Sequence, residues 1–232
     1  MRRIVLLMFL LLTSCAASDD NSIPRPELMR ESCDADVVNV LKLPKDSANF
    51  YVSRSKPASA DFYINSNFFD SRGPIGELIV KGKRISSRAR GGGYFFVKGG
   101  VPGVSAYAPP RGAEYSSQSI LVAINDGKVN SALTRRAHAK ESTYRSLVGV
   151  DRAGSVYILA TGRKCIVTIS EMISYGQRFK LREAILPDAA SSVDYKLSDG
   201  ESEVSMKAIP GPLKQVMRIE EPKSYILGQL RR

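Results

Sequence analysis

Histidine is almost missing from this chain. His138, in "RRAHAK", stands alone among 232 residues, beside three cysteines and no tryptophan. A single histidine leaves no persuasive Ser-His-Asp triad. Two cysteines and one histidine, with Cys15 set aside below, fall short of the four protein ligands a structural zinc site takes. No metal and no cofactor is expected, and His138 itself is read as exposed and idle. A Walker phosphate loop is also missing, because "RGGGYF" has its glycines but lacks the following Lys-Ser/Thr. Beyond the first fifteen residues, no apolar run is long enough to span a bilayer.

Those first residues, "MRRIVLLMFLLLTSC", carry Arg2 and Arg3 ahead of an apolar run from Ile4 to Leu12. The pattern is that of a secretory leader over residues 1–14. "LTSC" places small residues before a thiol, which predicts cleavage and lipidation at Cys15, with an ordinary signal peptide and a chance cysteine as the alternative. Acyl chains on Cys15 would hold the protein to a membrane, at about 0.8 kcal/mol per buried methylene. Residues 15–31 are polar, contain two prolines and read as a lipidated tether. Residues 32–232 have the length of one domain, and a 43% apolar composition allows it a substantial core.

Export changes the meaning of the charge. The formal net charge of +11 falls by two, to +9, when Arg2 and Arg3 leave with the leader. Outside the cytoplasm the anionic partners are phosphoglycans and lipid headgroups, so no nucleic-acid partner is expected. The expected place is a bacterial cell envelope, lipid-anchored, with Ala16 after the cysteine favouring an outer membrane facing the periplasm. An oxidising compartment permits a disulfide between Cys33 and Cys165, with two buried free thiols as the alternative.

Most of the chain reads as strands joined by tight turns. "ELIVKGKRI", "GYFFVKGGVPGVSAYA", "SILVAINDGKVNSAL" and "SLVGVDRAGSVYILA" each contain two Val-, Ile- or Tyr-rich runs around a glycine turn. "SEVSMKAI", "KQVMRIEE" and "KSYILGQL" read as further strands. Thr168 and Glu171 form a capping box, and Met172, Ile173, Tyr175 and Phe179 share a face, which predicts a helix there. Gly176 weakens that helix by about 1 kcal/mol relative to alanine. A second, shorter helix is expected near residues 26–41. The class is α+β: one domain with a mainly antiparallel or mixed sheet and one or two packing helices.

Four segments carry polar groups at the ends of such runs: "INSNFFD" (64–70), "YRSLVGVDRAGSVYIL" (144–159), "VTISEMISYG" (167–176) and "AILPDAASS" (184–192). In this order, over about residues 60–195, they resemble the phosphodiester glycosidase family. That family shows Ile-Asn-Gly-Gly-Phe-Phe, then an arginine before a strand ending in glycine, then Thr-Leu-x-Glu-Leu, then Leu-Asp-Gly-Gly-x-Ser.

The resemblance implies hydrolysis of a sugar-1-phosphodiester, with site residues Asn65, Arg145, Asp188 and Ser192, and with Asn67 and Ser191 as further substrate contacts. The leaving group is already a phosphomonoester, so one carboxylate, Asp188, would suffice where ordinary glycosides need a pair. Arg145 would grip the phosphate, and Asn65 and Ser192 would orient oxygens. The sequence departs from the family at Ala189-Ala190, where Gly-Gly is usual, at Pro187, and at Ser66-Asn67. A left-handed backbone at either alanine would cost about 1–2 kcal/mol. Two other readings therefore stand beside the enzyme: a noncatalytic envelope module binding anionic glycan, and a purely structural lipoprotein.

Overall fold

The computed structural model describes residues 23–34, 36–56, 58–70, 72–87, 91–119, 121–207 and 224–231. The leader, Cys15, most of the tether and the strand expected at "KQVMRIEE" lie outside these residues. The described chain is built on three main sheets. The largest has seven strands in the order β1 (Glu27–Cys33), β2 (Asp36–Leu43), β15 (Val156–Thr161), β14 (Ser146–Val150), β16 (Glu183–Ile185), β12 (Val122–Asn125) and β13 (Lys128–Val129). A five-stranded sheet runs β10 (Val101–Ser105), β9 (Tyr94–Lys98), β11 (Tyr115–Gln118), β7 (Glu77–Val80) and β8 (Lys83–Ser87). The other runs β18 (Glu203–Met206), β17 (Tyr195–Ser198), β4 (Phe62–Asn65), β19 (Tyr225–Leu230) and β3 (Ala48–Ser53). A small ribbon pairs β5 (Phe69–Asp70) with β6 (Gly73–Pro74). Every strand pairing among the described residues is antiparallel.

The seven-stranded sheet is covered on both faces. Along β2, Val38 and Val40 point into one apolar cluster, and Leu41 and Leu43 belong to another. Along β15, Tyr157 and Leu159 join the first cluster, while Val156, Ile158 and Ala160 join the second. The first cluster is filled by the helix α2 (Ile169–Arg178), through Ile169, Met172 and Ile173. The second lies between this sheet and the other two, with Phe50, Phe62, Phe95 and Ile226 inside it. At the usual ~25 cal/mol per Å² of apolar surface, these two clusters dominate the favourable side of folding.

The helix forms where the capping box predicts it. Glu171 N–H donates to the Thr168 hydroxyl, and the Glu171 carboxylate accepts from Thr168 N–H at 2.7 Å. Gly176 has a packing reason as well as a propensity cost, since a Cβ there would sit 3.2 Å from Leu147 of β14. Glycine lets the helix lie close on the sheet. A four-residue helix α1 (Ser131–Thr134), capped by Asn130, and a 3-10 turn at Ala137–Lys140 follow β13.

The helix expected near residues 26–41 is instead the β1–β2 hairpin, turning at Asp34 with φ of 32°. β2 is buried on both faces, so its sequence "DVVNVLKL" is nearly continuous in apolar residues and shows no alternation. Such a run carries no period that separates strand from helix. β1 also begins at Glu27, inside the segment read as tether.

Cys33 at the end of β1 and Cys165 before α2 form a disulfide across 132 residues of sequence. Both are buried.

Candidate active site

The polar groups singled out in the sequence converge at one end of β14 and β16. The chain leaves β16 through Leu186-Pro187-Asp188-Ala189 and enters a 3-10 turn at Ala190–Ser192. Much of the backbone of this loop is tied down. Leu186 N–H donates to Leu121 O at 3.0 Å, and Leu186 O accepts from the Ser119 hydroxyl. Ala190 N–H donates to Tyr144 O at 2.9 Å, and Ser192 N–H to Ala189 O at 3.2 Å.

Asn65, the last residue of β4, fastens the loop from behind. It is fully buried. Its side-chain amide donates to Asp188 O at 2.9 Å, while its Oδ1 accepts from Asp194 N–H at 3.3 Å. Asn65 therefore sets the height of Asp188 and does not line the cleft in front of it. Asn67 is likewise buried and committed. Its amide donates to Gln118 O at 2.9 Å and Glu77 O at 3.3 Å, and its Oδ1 accepts from the hydroxyls of Ser224 and Ser117. Expected as a substrate contact, Asn67 instead latches β11 and the start of β19 to the chain after β4. Its donors and acceptor are already used by protein.

Asp188 and Arg145 share a cleft of about 400 Å³, within the usual size of a small-molecule site. Burial pushes the Asp188 carboxyl up from 3.8 to about 6, and the Ala189 N–H, 2.8 Å from Oδ1, and the Ser192 side chain pull weakly the other way. Arg145, at the mouth of β14, is buried to 6% exposure. It is held by peptide carbonyls: Nε donates to Val167 O at 2.9 Å, and Nη2 to Glu141 O at 2.8 Å and His138 O at 3.5 Å. Burial lowers its pKa, opposed by Glu141, and it stays charged. Nη1 makes no protein hydrogen bond among the described residues, which leaves two donors for a ligand.

Three side chains of the cleft were not legible as functional. Ser146 is 1% exposed and belongs to the cleft wall, and its hydroxyl, closed off from solvent, has no partner among the described residues. A buried hydroxyl without a partner costs free energy. Nothing distinguishes Ser146 in the sequence except that it follows Arg145. His138 and Arg136 are exposed on the 3-10 turn and its cap, yet both reach the same cleft. His138 is thus exposed as expected, but it stands at the cleft's edge. The Ser192 side chain hydrogen-bonds the Asp188 carboxyl and does not line the cleft, and Ser191 precedes it in the turn.

The two alanines differ. Ala189 is extended, with φ of −119° and ψ of −171°, so it needs no glycine. Ala190 is left-handed, with φ of +57°. Ala190→Gly is expected to stabilise the protein by about 0.5–1 kcal/mol, the relief of left-handed strain less the greater freedom of glycine when unfolded. A urea midpoint that falls on this change would show that the methyl earns its place by packing.

A model of the phosphodiester glycosidase family matches residues 58–196, more than half of the chain. The chain belongs to the phosphodiester glycosidase family. The catalytic domain of zebrafish N-acetylglucosamine-1-phosphodiester alpha-N-acetylglucosaminidase, auto-inhibited by pro-peptide, superposes with a TM-score of 0.65 at 15% identity, over 92% of this chain and 85% of that one. A hypothetical protein from Synechocystis superposes with a TM-score of 0.61 at 11% identity, over 89% of this chain and 62% of that one. At such identities the likeness is one of fold. None of the curated proteins compared matches the chain. The matched span includes both the Asn65 segment and the Asp188 loop, which Asn65 ties together.

Proposed function

We propose that this phosphodiester glycosidase hydrolyses a glycosyl-1-phosphodiester in an envelope or exopolysaccharide phosphoglycan. The observation that carries the reading is a carboxyl with a pKa near 6 in one cleft with a carbonyl-held arginine. Arg145 Nη1 binds the phosphate oxygens. Asp188, ionised, takes a proton from the water that attacks the anomeric carbon. The bond from that carbon to the ester oxygen breaks, and the phosphomonoester departs with the electron pair. Arg145 meets the charge that grows on it.

The leader and Cys15 support an exported, lipid-anchored protein, placed on the outer membrane facing the periplasm, with an anionic glycan as its partner. A second reading, a noncatalytic glycan-binding module, draws on the strained Ala190 and on the two methyl groups lining the cleft. The chain from Ile23 onward carries every described element and serves for the test. Incubated with N-acetylglucosamine-1-phosphodiesters and a panel of other sugar-1-phosphodiesters, it is expected to release a phosphomonoester. Glycan binding by folded protein without release across the panel would favour the second reading.

A further inference from the structure

Arg145 is placed by more than the three carbonyls that hold its side chain. β14 and β15 pair with Leu147 opposite Leu159 and Ser146 opposite Ala160, so Arg145 and Thr161 come next along the ladder. Residues opposed at such a position normally exchange two peptide hydrogen bonds. Only one is made here. Thr161 N–H donates to Arg145 O at 3.0 Å, but Arg145 N–H donates to the Thr161 hydroxyl, also at 3.0 Å. The same hydroxyl donates to Arg145 O at 3.3 Å. The Thr161 carbonyl, left by the ladder, accepts from the Tyr195 hydroxyl at 3.1 Å, and the Tyr195 oxygen accepts from the Asn39 amide at 3.0 Å.

The peptide plane joining Tyr144 to Arg145 is therefore held on both edges. Its carbonyl accepts from Ala190 N–H in the Asp188 loop at 2.9 Å, and its N–H is held by Thr161. Tyr195 ties in the same loop, since the chain runs from Asp188 through the 3-10 turn straight into β17. Asn39, Thr161 and Tyr195 are each at most 5% exposed. A plain ladder would have satisfied the Arg145 and Thr161 peptides with no polar side chain in the core. Burying three of them costs free energy except where each is bonded. What the hydroxyl changes is the position of the Arg145 peptide, which no longer closes on the Thr161 carbonyl.

We propose that Thr161, seated by Tyr195 and Asn39, is a positioning residue that sets where Arg145 stands in the cleft it shares with Asp188. The kinetic consequence rests on the proposed hydrolysis, and the placement itself does not. Thr161→Val keeps the shape of the side chain and loses the oxygen. A methyl group does not stay 3.0 Å from Arg145 N, because ordinary carbon contacts lie at about 3.5–4.0 Å. The peptide moves off, or it closes the plain ladder bond and displaces the Tyr195 hydroxyl. Either outcome shifts the guanidinium.

In Thr161→Val, kcat/KM for a sugar-1-phosphodiester is expected to fall about 30–100-fold. Thr161→Ser, which restores the oxygen, should stay within about threefold of wild type. The pH profile separates misplacement from general loosening. Loosening hydrates Asp188 and brings its apparent pKa down from about 6 towards 3.8, whereas a displaced Arg145 leaves it near 6. A second readout needs no substrate. The Arg145 Nε–H, bonded to Val167 O, should exchange with solvent at least about tenfold faster in Thr161→Val than in wild type or Thr161→Ser. Heteronuclear NMR follows it, with Arg145→Lys to identify the signal. Tyr195→Phe removes the donor to Thr161 O and should raise the exchange rate about three- to tenfold, which serves if Thr161→Val does not fold. Wild-type exchange in either folded variant overturns the proposal. So do an unchanged kcat/KM in Thr161→Val, a serine variant as impaired as the valine one, or an apparent pKa that moves towards 3.8. Wild-type protein without turnover refutes the hydrolysis instead, and Nε–H exchange then decides the placement alone.

Discussion

Asp188→Asn is expected to abolish turnover of a sugar-1-phosphodiester, by about 10²–10⁴-fold as for a lost general base, and at the same time to stabilise the fold above pH 6. The two effects have one cause. Burial behind the Asn65 latch raises the Asp188 carboxyl to about 6. Between pH 4 and 6 the folded chain therefore holds a proton that the unfolded chain has released. Stability contributed at this site is full below about pH 4 and is lost as pH rises through 6. The shift of about two units sets an upper limit near 3 kcal/mol on what ionisation costs above pH 6. Asparagine keeps the acceptor for Ala189 N–H and never ionises. Urea unfolding of the two proteins should agree below pH 4 and separate above pH 6, with the variant the more stable. The wild-type kcat/KM, set by the ionised form, should climb with pH and level off above an apparent pKa near 6. A rate that falls through this pKa would make Asp188 a proton donor, and full activity in the variant would remove it from the chemistry.

The second large effect is expected from the disulfide. Cys33→Ser with Cys165→Ser should cost roughly 5 kcal/mol, the chain-entropy value for a loop of this length. The loss should also reach the cleft. Cys165 lies two residues before Val167, whose carbonyl accepts from Arg145 Nε, and Lys164 N–H in the same loop donates to Asp36 at 2.8 Å. Freeing this segment loosens one of the carbonyls that fix the guanidinium. Wild-type protein unfolded in urea with and without dithiothreitol, beside the double serine variant, provides the measurement. Reduced and oxidised protein with the same midpoint would show that the bond adds no stability.

How far sequence carried depended on how locally each feature is determined. The hairpins around Gly127 and Gly154 and the capped helix at Thr168 were legible because turn chemistry and capping act within a few residues. The β1–β2 hairpin was misread, since β2 owes its apolar run to two clusters made by distant segments. At the site, the convergence of the Asn65 and Asp188 segments was legible through the family resemblance. What each residue does there was not. Asn65 and Asn67 look like ligand-binding amides, yet their partners include Asp188 O and Gln118 O, 123 and 51 residues away in sequence. Ser146 gave no sign at all, because its interest lies in a hydroxyl left without a partner among the described residues.

The manner in which Arg145 is held has one more consequence. Its guanidinium is fixed by the carbonyls of Val167, Glu141 and His138, and none of these atoms carries a formal charge. A carboxylate in their place would have held the side chain equally still and cancelled its field. As it stands, the guanidinium keeps its charge without a bonded counter-ion, with the carboxylates of Glu141 and Asp188 on the same cleft wall. Salt screens the exposed lysines and arginines of the surface over about 8 Å at physiological ionic strength, but it screens a buried charge far less. On the proposed reading, phosphate binding at Arg145 should therefore depend less on salt than anion binding by the exposed lysines and arginines does.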